Sequence, residues 1–404
     1  MNKQVFFYGI SGASMSVLAC LAAQNSTVWG YDDNMDKANF LVSHGIKLCD
    51  KLDYEIIKNC DLVVYTCAIK NIAPLNNFCK EHDIPLLERA EYLAITSQEF
   101  SEIIAISGTH GKTTTTAMIG SMFKDANLSP VVHIGGISND WGAYLSGKKD
   151  IFVTEACEYN RSFLKLSPTT LVINNIESEH LDTYSNFADI QSTFVQLSSQ
   201  TKRNLIINGD SLDKNLFLTP NILTFGLKGS NDIKATNLTQ NNACFSFDCW
   251  YNKQNLGNFT LNIMGKHNVY NALACIAVGL VYDIPCEVMR KSLASFNGVK
   301  RRLSLLVKSK LGVHYLDYAH HPTEIKASLD TLNCIFHKRL VAIFQPHTYS
   351  RTITLMKQFC SCFDQCDKLY LLPTYSAREN YIMGGDVIDL FYNLNGRVDC
   401  EYFT

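Results

Sequence analysis

Gly108-Thr109-His110-Gly111-Lys112-Thr113-Thr114 lies between an apolar run, "EIIAIS", and a helical pattern that continues as "TTAMIGSMFKDA". Strand, glycine turn and helix start in that order meet the needs of a phosphate cradle. Amide N–H groups converge at the helix N-terminus, a lysine adds a mobile positive charge, and a hydroxyl can hold Mg2+. All seven residues of this run are therefore expected at a nucleotide phosphate. The loop is shorter than the general phosphate-loop pattern, which would place a further glycine where Ile106 stands. The successive threonines are poor helix formers, so something other than propensity must hold this helix start.

Phosphoryl chemistry also needs a divalent metal, and hence ligands at the same rim. "VTEACEYNRSF" sets Glu155 at the end of one expected strand and Glu158 just beyond it. "INNIESEHLDTY" sets Asn174, Asn175, Glu177, Glu179, His180 and Asp182 after the next. In a parallel sheet the carboxyl ends of such strands share a rim with the phosphate loop. Singly these are surface charges; together they form a candidate metal and substrate site. A second turn, Gly9-Ile10-Ser11-Gly12-Ala13-Ser14, follows the first expected strand. It lacks the third glycine of the dinucleotide pattern, yet amides at a helix N-terminus still favour a nucleotide phosphate there. Asp32 and Asp33 are either ribose partners or solvated turn residues, and their spacing leaves both open.

The elements that must position these residues read as α/β: short apolar runs alternate with helical patterns, as in parallel sheets covered by helices. "QVFFYGI", "STVWGYDD" and "DLVVYT" are expected strands around the helical "GASMSVLACLAAQ". "IFVTEA", "TTLVINN" and "NLIINGD" extend a second unit, whose later "GSNDIKATNLTQNNACFSFDCWYNKQNLGNFTLNI" alternates as antiparallel strands do. "GVHYLDYA", "RLVAIFQ" and "KLYLLP", each followed by a helical pattern, predict a third parallel α/β unit. The expectation is three consecutive α/β domains: Rossmann-like over 1–99, P-loop ATPase-like over 100–300, and Rossmann-like but abbreviated over 301–404.

Bulk properties narrow the function classes. With 404 residues, 47% hydrophobic and 18% charged, the chain reads as globular and multidomain. A formal charge of −2 gives no whole-molecule attraction for nucleic acid or anionic lipid. The 15 cysteines are scattered, and no secretory pattern precedes the first strand, so reduced thiols in a cytoplasmic protein are expected. Cys360, Cys362 and Cys366 share an expected helix without zinc-knuckle spacing and are read as packed thiols. No apolar run reaches the ~18 residues needed to span a bilayer.

The phosphate loop, "VTEACE", "NIESEHLDTY", "GKHNVYNALA", "FNGVKRR", "DYAHHPTE" and "FQPHTYSRT" occur in that order, and the set resembles the Mur ligases. Within them it is most similar to those joining UDP-N-acetylmuramate to L-alanine in peptidoglycan precursor synthesis. The resemblance implies transfer of the ATP γ-phosphate to the substrate carboxylate and attack of an amine on the acyl phosphate. It implies ATP and Mg2+ as cofactors and the cytoplasm as location. Lys112 would meet the β- and γ-phosphates, Thr113 a first Mg2+, and Glu155 and His180 metal between γ-phosphate and carboxylate. Asn175 and Asp182 would be supporting contacts. His267, Asn268 and Asn271 would form the adenine site, with helix capping a further role for Asn268. Arg302 would reach the phosphates or carboxylate, with Arg301 a solvated neighbour, and Asp317 would meet the nucleotide ribose. Tyr318, His320 and His321 would face the reaction, and His347 and Arg351 would receive the alanine carboxylate. Gly9, Ser11, Gly12 and Ser14 would cradle the UDP diphosphate, and Gly135 and Gly136 would form a glycine turn near the sugar nucleotide.

Thr348 stands where some relatives carry arginine, and relatives usually continue beyond "TYSARENYIMGGDVIDLF" through further elements. The third domain is accordingly expected to be incomplete at one sheet edge, and still to fold and work. Alternatives are a ligase that adds a ready-made murein tripeptide, a catalytically impaired nucleotide-binding relative, and a dehydrogenase built on the first turn. Oligomeric state, metal preference and strictness for alanine over serine or glycine stay open at this level.

Overall fold

The structure is a computed structural model and describes residues 3–36, 38–179, 183–310, 312–335, 337–377 and 379–403. His180 and Asp182, expected at the metal rim, lie outside the described residues. None of the described helices is long and apolar enough to cross a membrane.

The first unit alternates β1 (Lys3–Tyr8), α1 (Ala13–Ala23), β2 (Ser26–Tyr31), α2 (Ala38–Ser43), β3 (Lys47–Leu48), α3 (Tyr54–Ile57), β4 (Leu62–Tyr65), α4 (Ala73–Glu81), β5 (Leu86–Glu88) and α5 (Arg89–Ser97). Its parallel sheet runs β3-β2-β1-β4-β5. β1 is central, and Val5, Phe6 and Phe7 are buried from both faces, which is why it reads as an unbroken apolar run. The strand order reverses beside β1, and the Gly9 turn opens there, where doubly wound sheets bind ligands.

The second unit carries β6 (Glu102–Ser107), α6 (Lys112–Asp125), β7 (Val131–Ser138), β8 (Gly142–Leu145), β9 (Ile151–Glu155), β10 (Thr170–Ile173), α7 (Phe187–Ser199), β11 (Asn204–Asn208), β12 (Asn221–Gly226), β13 (Ile233–Asn241), β14 (Cys244–Tyr251), β15 (Gln254–Met264), α8 (His267–Val281) and α9 (Cys286–Ser295). They build one sheet in the order β15-β14-β13-β12-β11-β10-β6-β9-β7-β8. The β13–β14–β15 segment is antiparallel, as its alternation predicts. β6 lies between β9 and β10, all parallel, so the loops after these strands converge on the phosphate loop. The threonine-rich start of α6 is held by burial, by one tertiary hydrogen bond and by one within the helix. Thr115 and Thr116 are wholly buried; Thr115 Oγ1 donates to Asn271 Oδ1 at 3.1 Å and Thr116 Oγ1 to Lys112 O at 2.8 Å.

The third unit comprises β16 (Ser304–Ser309), β17 (Gly312–Leu316), α10 (Pro322–Asn333), β18 (Val341–Phe344), α11 (Tyr349–Thr354), α12 (Met356–Cys362), β19 (Lys368–Leu371), α13 (Val387–Leu394) and β20 (Cys400–Tyr402). β18, β19 and β20 form a parallel sheet. "GVHYLDYA" departs from the expected parallel arrangement: β17 pairs antiparallel with β16 as a separate hairpin. Among the described residues β18 pairs only with β19, and Val341 and Ile343 on its open edge are exposed. The cysteine-bearing helix breaks at Leu355, and Cys362 and Cys366 are buried in the core of this unit.

Buried side chains of the first two units merge into one apolar core: Phe7, Leu18 and Val28 belong to the same cluster as Phe152, Leu171 and Leu205. The third unit has its own core around Phe344, Phe359, Leu369 and Leu390.

Candidate active site

The phosphate loop is shaped by two glycines. Gly111, at φ +82°, precedes α6, and a Cβ there would lie 2.6 Å from Asn271 Oδ1. Gly108, at φ +127°, passes so close to the chain at Asn174 and Asn175 that a Cβ would stand about 3.0 Å from their backbone. Asn175 clamps the loop, since its Oδ1 accepts His110 N–H at 2.8 Å and its Nδ2 donates to His110 O at 3.2 Å. Thr109 Oγ1 accepts Glu177 N–H at 2.8 Å.

Lys112 folds back over this loop. Its Nζ donates to Thr109 O at 3.1 Å and pairs with Glu158 Oε2 at 2.9 Å, on a side chain only 3% exposed. Burial is the largest single influence and would lower the lysine pKa, but the surrounding acidic groups, Glu158 foremost, together raise it, so the ammonium is firmly charged. Beside it, Thr113 Oγ1 donates to Glu155 Oε2 at 3.1 Å, while Glu155 Oε1 accepts Gly135 N–H. Burial pushes the Glu155 pKa up against the opposing pull of the Gly135 amide, Lys112 and Arg302. A hydroxyl and a carboxylate at the phosphate end of α6 are hard oxygen donors, and a carboxylate whose ionised form is penalised gains from a cation. The pair therefore fits Mg2+.

Gly135 and Gly136 do not form the expected turn. Both lie in β7, whose backbone runs against this metal rim: a Cβ on Gly136 would meet Thr113 Cγ2 at 2.8 Å. Their small size permits that close approach. Capping by Asn268 is also absent. α8 begins after Lys266, and Asn268 Nδ2 donates to Met264 O at 2.7 Å while its Oδ1 accepts from Asn271 Nδ2 at 2.8 Å. The two buried asparagines thereby brace the back of the phosphate loop through Thr115 and Gly111. His267, at the first position of α8, is exposed.

In the first unit Gly9 has φ +83°, and a Cβ there would strike Thr66 Cγ2 at 2.4 Å. Gly12 caps α1 without a side-chain hydrogen bond, leaving the helix N-terminus bare. Ser11 N–H is held by Asp32 Oδ2 at 2.9 Å, and Ser11 Oγ is buried without a partner, a donor suited to an anion in this turn. Asp32 thus ties its own turn, where its Oδ1 accepts Asn34 N–H, to the Gly9 turn, and Asp33 accepts the Tyr31 hydroxyl. Ser14 Oγ meets His133 Nε2 at 2.7 Å, and His133 Nδ1 meets Thr154 Oγ1 at 2.8 Å.

The third unit closes over the phosphate loop. His110 Nδ1 lies 3.0 Å from Glu324 Oε1, which also attracts Arg302 Nη1 at 3.8 Å. Thr323 Oγ1 donates to Glu177 Oε2 at 2.8 Å. Arg351 Nη2 donates to Glu179 Oε1 at 3.0 Å, and its Nη1 contacts His347 Nδ1 at 3.0 Å. The guanidinium expected to receive a carboxylate thus already holds one. His320 joins the same group, 3.6 Å from Glu179 and with its ring 5.6 Å from that of His347. Burial and then the Arg351 charge lower the His347 pKa to about 4, so its imidazole is neutral at neutral pH. Thr348 between them has φ +69°, a strained backbone for a β-branched residue. Tyr318 is exposed with the Arg302 guanidinium 5.5 Å from its ring, and Asp317 accepts from Ser328 of α10.

His133 and Glu324 escaped the sequence reading, although Glu324 falls inside the quoted "DYAHHPTE" and His133 stands two residues before Gly135. Their roles rest on partners 119 and 214 residues distant, a relation with no local signature.

The sequence profile of the Mur ligase middle domain matches residues 106–279, and that of the Mur ligase glutamate ligase domain matches residues 301–389. The UDP-N-acetylmuramate–L-alanine ligase of Clostridium novyi is 41% identical over 390 residues, covering 94% of this chain and 84% of that protein. The enzyme of the same name from Caldicellulosiruptor bescii is 38% identical, covering 100% of this chain and 91% of that protein. The solved UDP-N-acetylmuramate-alanine ligase of Thermotoga maritima superposes with a TM-score of 0.83 at 27% identity, covering 99% of this chain and 90% of that one. Matching domain profiles, near full-length identity and a shared fold lead to one assignment: the chain belongs to the Mur ligase family.

Proposed function

We propose that this protein is the ATP-dependent ligase that joins L-alanine to the lactyl carboxylate of UDP-N-acetylmuramate in peptidoglycan precursor synthesis. The observation that carries the reading is the meeting of two sites at one rim: a phosphate loop with Lys112 and Glu155, and a carboxylate-holding Arg351 brought over it by the third unit. The names of the most similar relatives point the same way.

In this reading residues 1–99 hold the UDP-sugar, 100–300 hold ATP and 301–404 hold alanine. Gly9, Ser11, Gly12 and Ser14 take the UDP diphosphate, with the Ser11 hydroxyl as a ready donor. Gly108 to Thr114 wrap the ATP phosphates, and Lys112 exchanges Glu158 for a phosphate oxygen. Adenine and ribose fall to His267, Asn268, Asn271 and Asp317. Thr113 and Glu155, with His180, would hold Mg2+, which when bound neutralises phosphate charge that otherwise repels the incoming carboxylate. Arg302 lies near enough to Glu155 to add positive charge at the same rim. The substrate carboxylate takes the γ-phosphoryl group, ADP leaves, and the alanine amine then attacks the acyl carbon. A C–N bond forms, the C–O bond to phosphate breaks, and the amine proton passes to a base. Arg351 exchanges Glu179 for the alanine carboxylate, which its planar fork matches. Neutral His347 lines that seat together with His320. The cytoplasm is the proposed location, and the 15 cysteines, none of them in a disulfide, suit a reducing compartment.

The deciding experiment is an acceptor panel with ATP and UDP-N-acetylmuramate, reading ADP release and product mass. L-Alanine should give the highest kcat/KM, above serine and glycine. Preference for the murein tripeptide would move the assignment to a recycling ligase, and ADP-free binding would make the chain an impaired relative.

A further inference from the structure

Two imidazoles from different units face one carboxylate beside the phosphate loop. His110 Nε2 is 3.5 Å from Glu177 Oε2, and His321 Nδ1 is 3.9 Å from the same oxygen. One ligand atom from each residue lies within 4.8 Å of the other two, the only such three-residue group of metal-binding side chains among the described residues. His110 Nε2 is buried without a hydrogen-bond partner, although ring nitrogens removed from water ordinarily find one; His321 Nε2 is likewise unpartnered, whereas His321 Nδ1 accepts Thr323 N–H at 3.3 Å, a bond that a metal on Nδ1 would displace. The surroundings are those of a metal ligand set. Glu324 Oε1 orients His110 through Nδ1 at 3.0 Å, leaving Nε2 turned to Glu177, and Thr323 Oγ1 orients the Glu177 carboxylate.

We propose that His110, Glu177 and His321 form a binding site for a divalent transition metal of the Zn2+ class, separate from the magnesium position, which bolts the third unit to the phosphate loop. Four-coordinate Zn2+, with bonds of about 2.0–2.1 Å, holds neighbouring ligand atoms about 3.4 Å apart. The 3.5 and 3.9 Å spacings to Glu177 lie close to that, and one ligand atom of each residue lies within 4.8 Å of the others. Two imidazoles and one carboxylate favour zinc, cobalt or nickel over magnesium, whereas Thr113 and Glu155 offer hard oxygens. Three protein ligands leave a fourth position for water or another oxygen donor. The ion would connect the β6–α6 loop and the segment after β10 to the N-terminus of α10, and it does not depend on which acceptor amino acid the enzyme uses.

The test uses the full-length protein freed of metal with a chelator and titrated with Co2+ alone, then with Zn2+. One equivalent of Co2+ should bind with a nitrogen and oxygen visible spectrum, lack the near-ultraviolet thiolate band, and be displaced by Zn2+ but not by millimolar Mg2+. Glu177→Gln and His321→Asn should each weaken binding by about tenfold or more. The asparagine keeps the side-chain cap that His321 gives α10, so circular dichroism should show a folded protein. Cys67→Ser and Cys334→Ser, at exposed thiols, should bind as the parent does. Absence of uptake, a thiolate band, displacement by Mg2+, or unchanged affinity in folded His321→Asn would overturn the proposal.

Discussion

Lys112 has a structural duty that its place in the phosphate loop conceals. Its partner Glu158 is 2% exposed, so removing the ammonium takes away the cation that faces a carboxylate inside the protein. Lys112→Met should lower activity by at least about a hundredfold, as loss of one preorganised charge does. It should also destabilise the fold by about 3–5 kcal/mol, because breaking a buried pair from one side leaves the other charge uncompensated. Adding Glu158→Gln removes that charge and should restore most of the stability without activity. Urea unfolding of the single and double variants, alongside turnover, separates the two roles; equal instability in both would show that the pair is not what anchors the loop. The loop itself was legible because glycine, lysine and threonine act there through local geometry. Glu158 was visible only as an acid near a strand end, since nothing local names its partner 46 residues away.

Elements meet at polar points that carry their own pH dependence. His133, on β7 and 3% exposed, bridges Ser14 at the start of α1 and Thr154 on β9, and so braces the first phosphate turn against the second unit. Burial, then the Arg89 charge, lowers its pKa to about 3, against 6.5 for a free imidazole. The unfolded chain therefore takes up the proton first. This histidine's contribution is complete above about pH 6.5 and is lost as pH falls from there toward about 3, at roughly 1.4 kcal/mol per unit. Between about pH 7.5 and 5 the wild type should lose about 2 kcal/mol more than His133→Gln, which keeps hydrogen-bonding groups without titrating. Matching pH slopes of denaturation midpoint for the two proteins would show that His133 is not held neutral. Strand and helix patterns predicted the parallel sheets well, because buried strands write themselves as apolar runs such as "QVFFYGI". "GVHYLDYA" misled because alternation records which residues form a strand but not its neighbour, and β17 found β16, with Leu305 and Tyr315 ten residues apart, rather than β18.

At the scale of the whole molecule, two kinds of junction differ in physics. The first two units share a continuous apolar core, which cannot part without exposing Phe7, Leu18 and Phe152 to water. The third unit has a core of its own and meets the phosphate loop through polar contacts, among them His110 with Glu324, Thr323 with Glu177 and Arg351 with Glu179. Polar seams of this kind exchange their partners for water at small net cost, so the third unit is the one expected to move. Glu179→Gln tests this. The substitution leaves the Arg351 guanidinium, 11% exposed, without its carboxylate inside the closed seam. Swinging the third unit outward returns that charge to water, so the penalty should appear as opening rather than as unfolding. Small-angle scattering of the variant, free of ligands and of metal at the His110, Glu177 and His321 site, should give a larger radius of gyration than the wild type treated alike, at an unchanged melting temperature. Adding nucleotide, UDP-sugar and L-alanine should bring the two together, because the alanine carboxylate then fills the fork that Glu179 vacates. A ligand-free radius equal to the wild type would mean that the seam is held elsewhere and that Arg351 keeps its seat without Glu179.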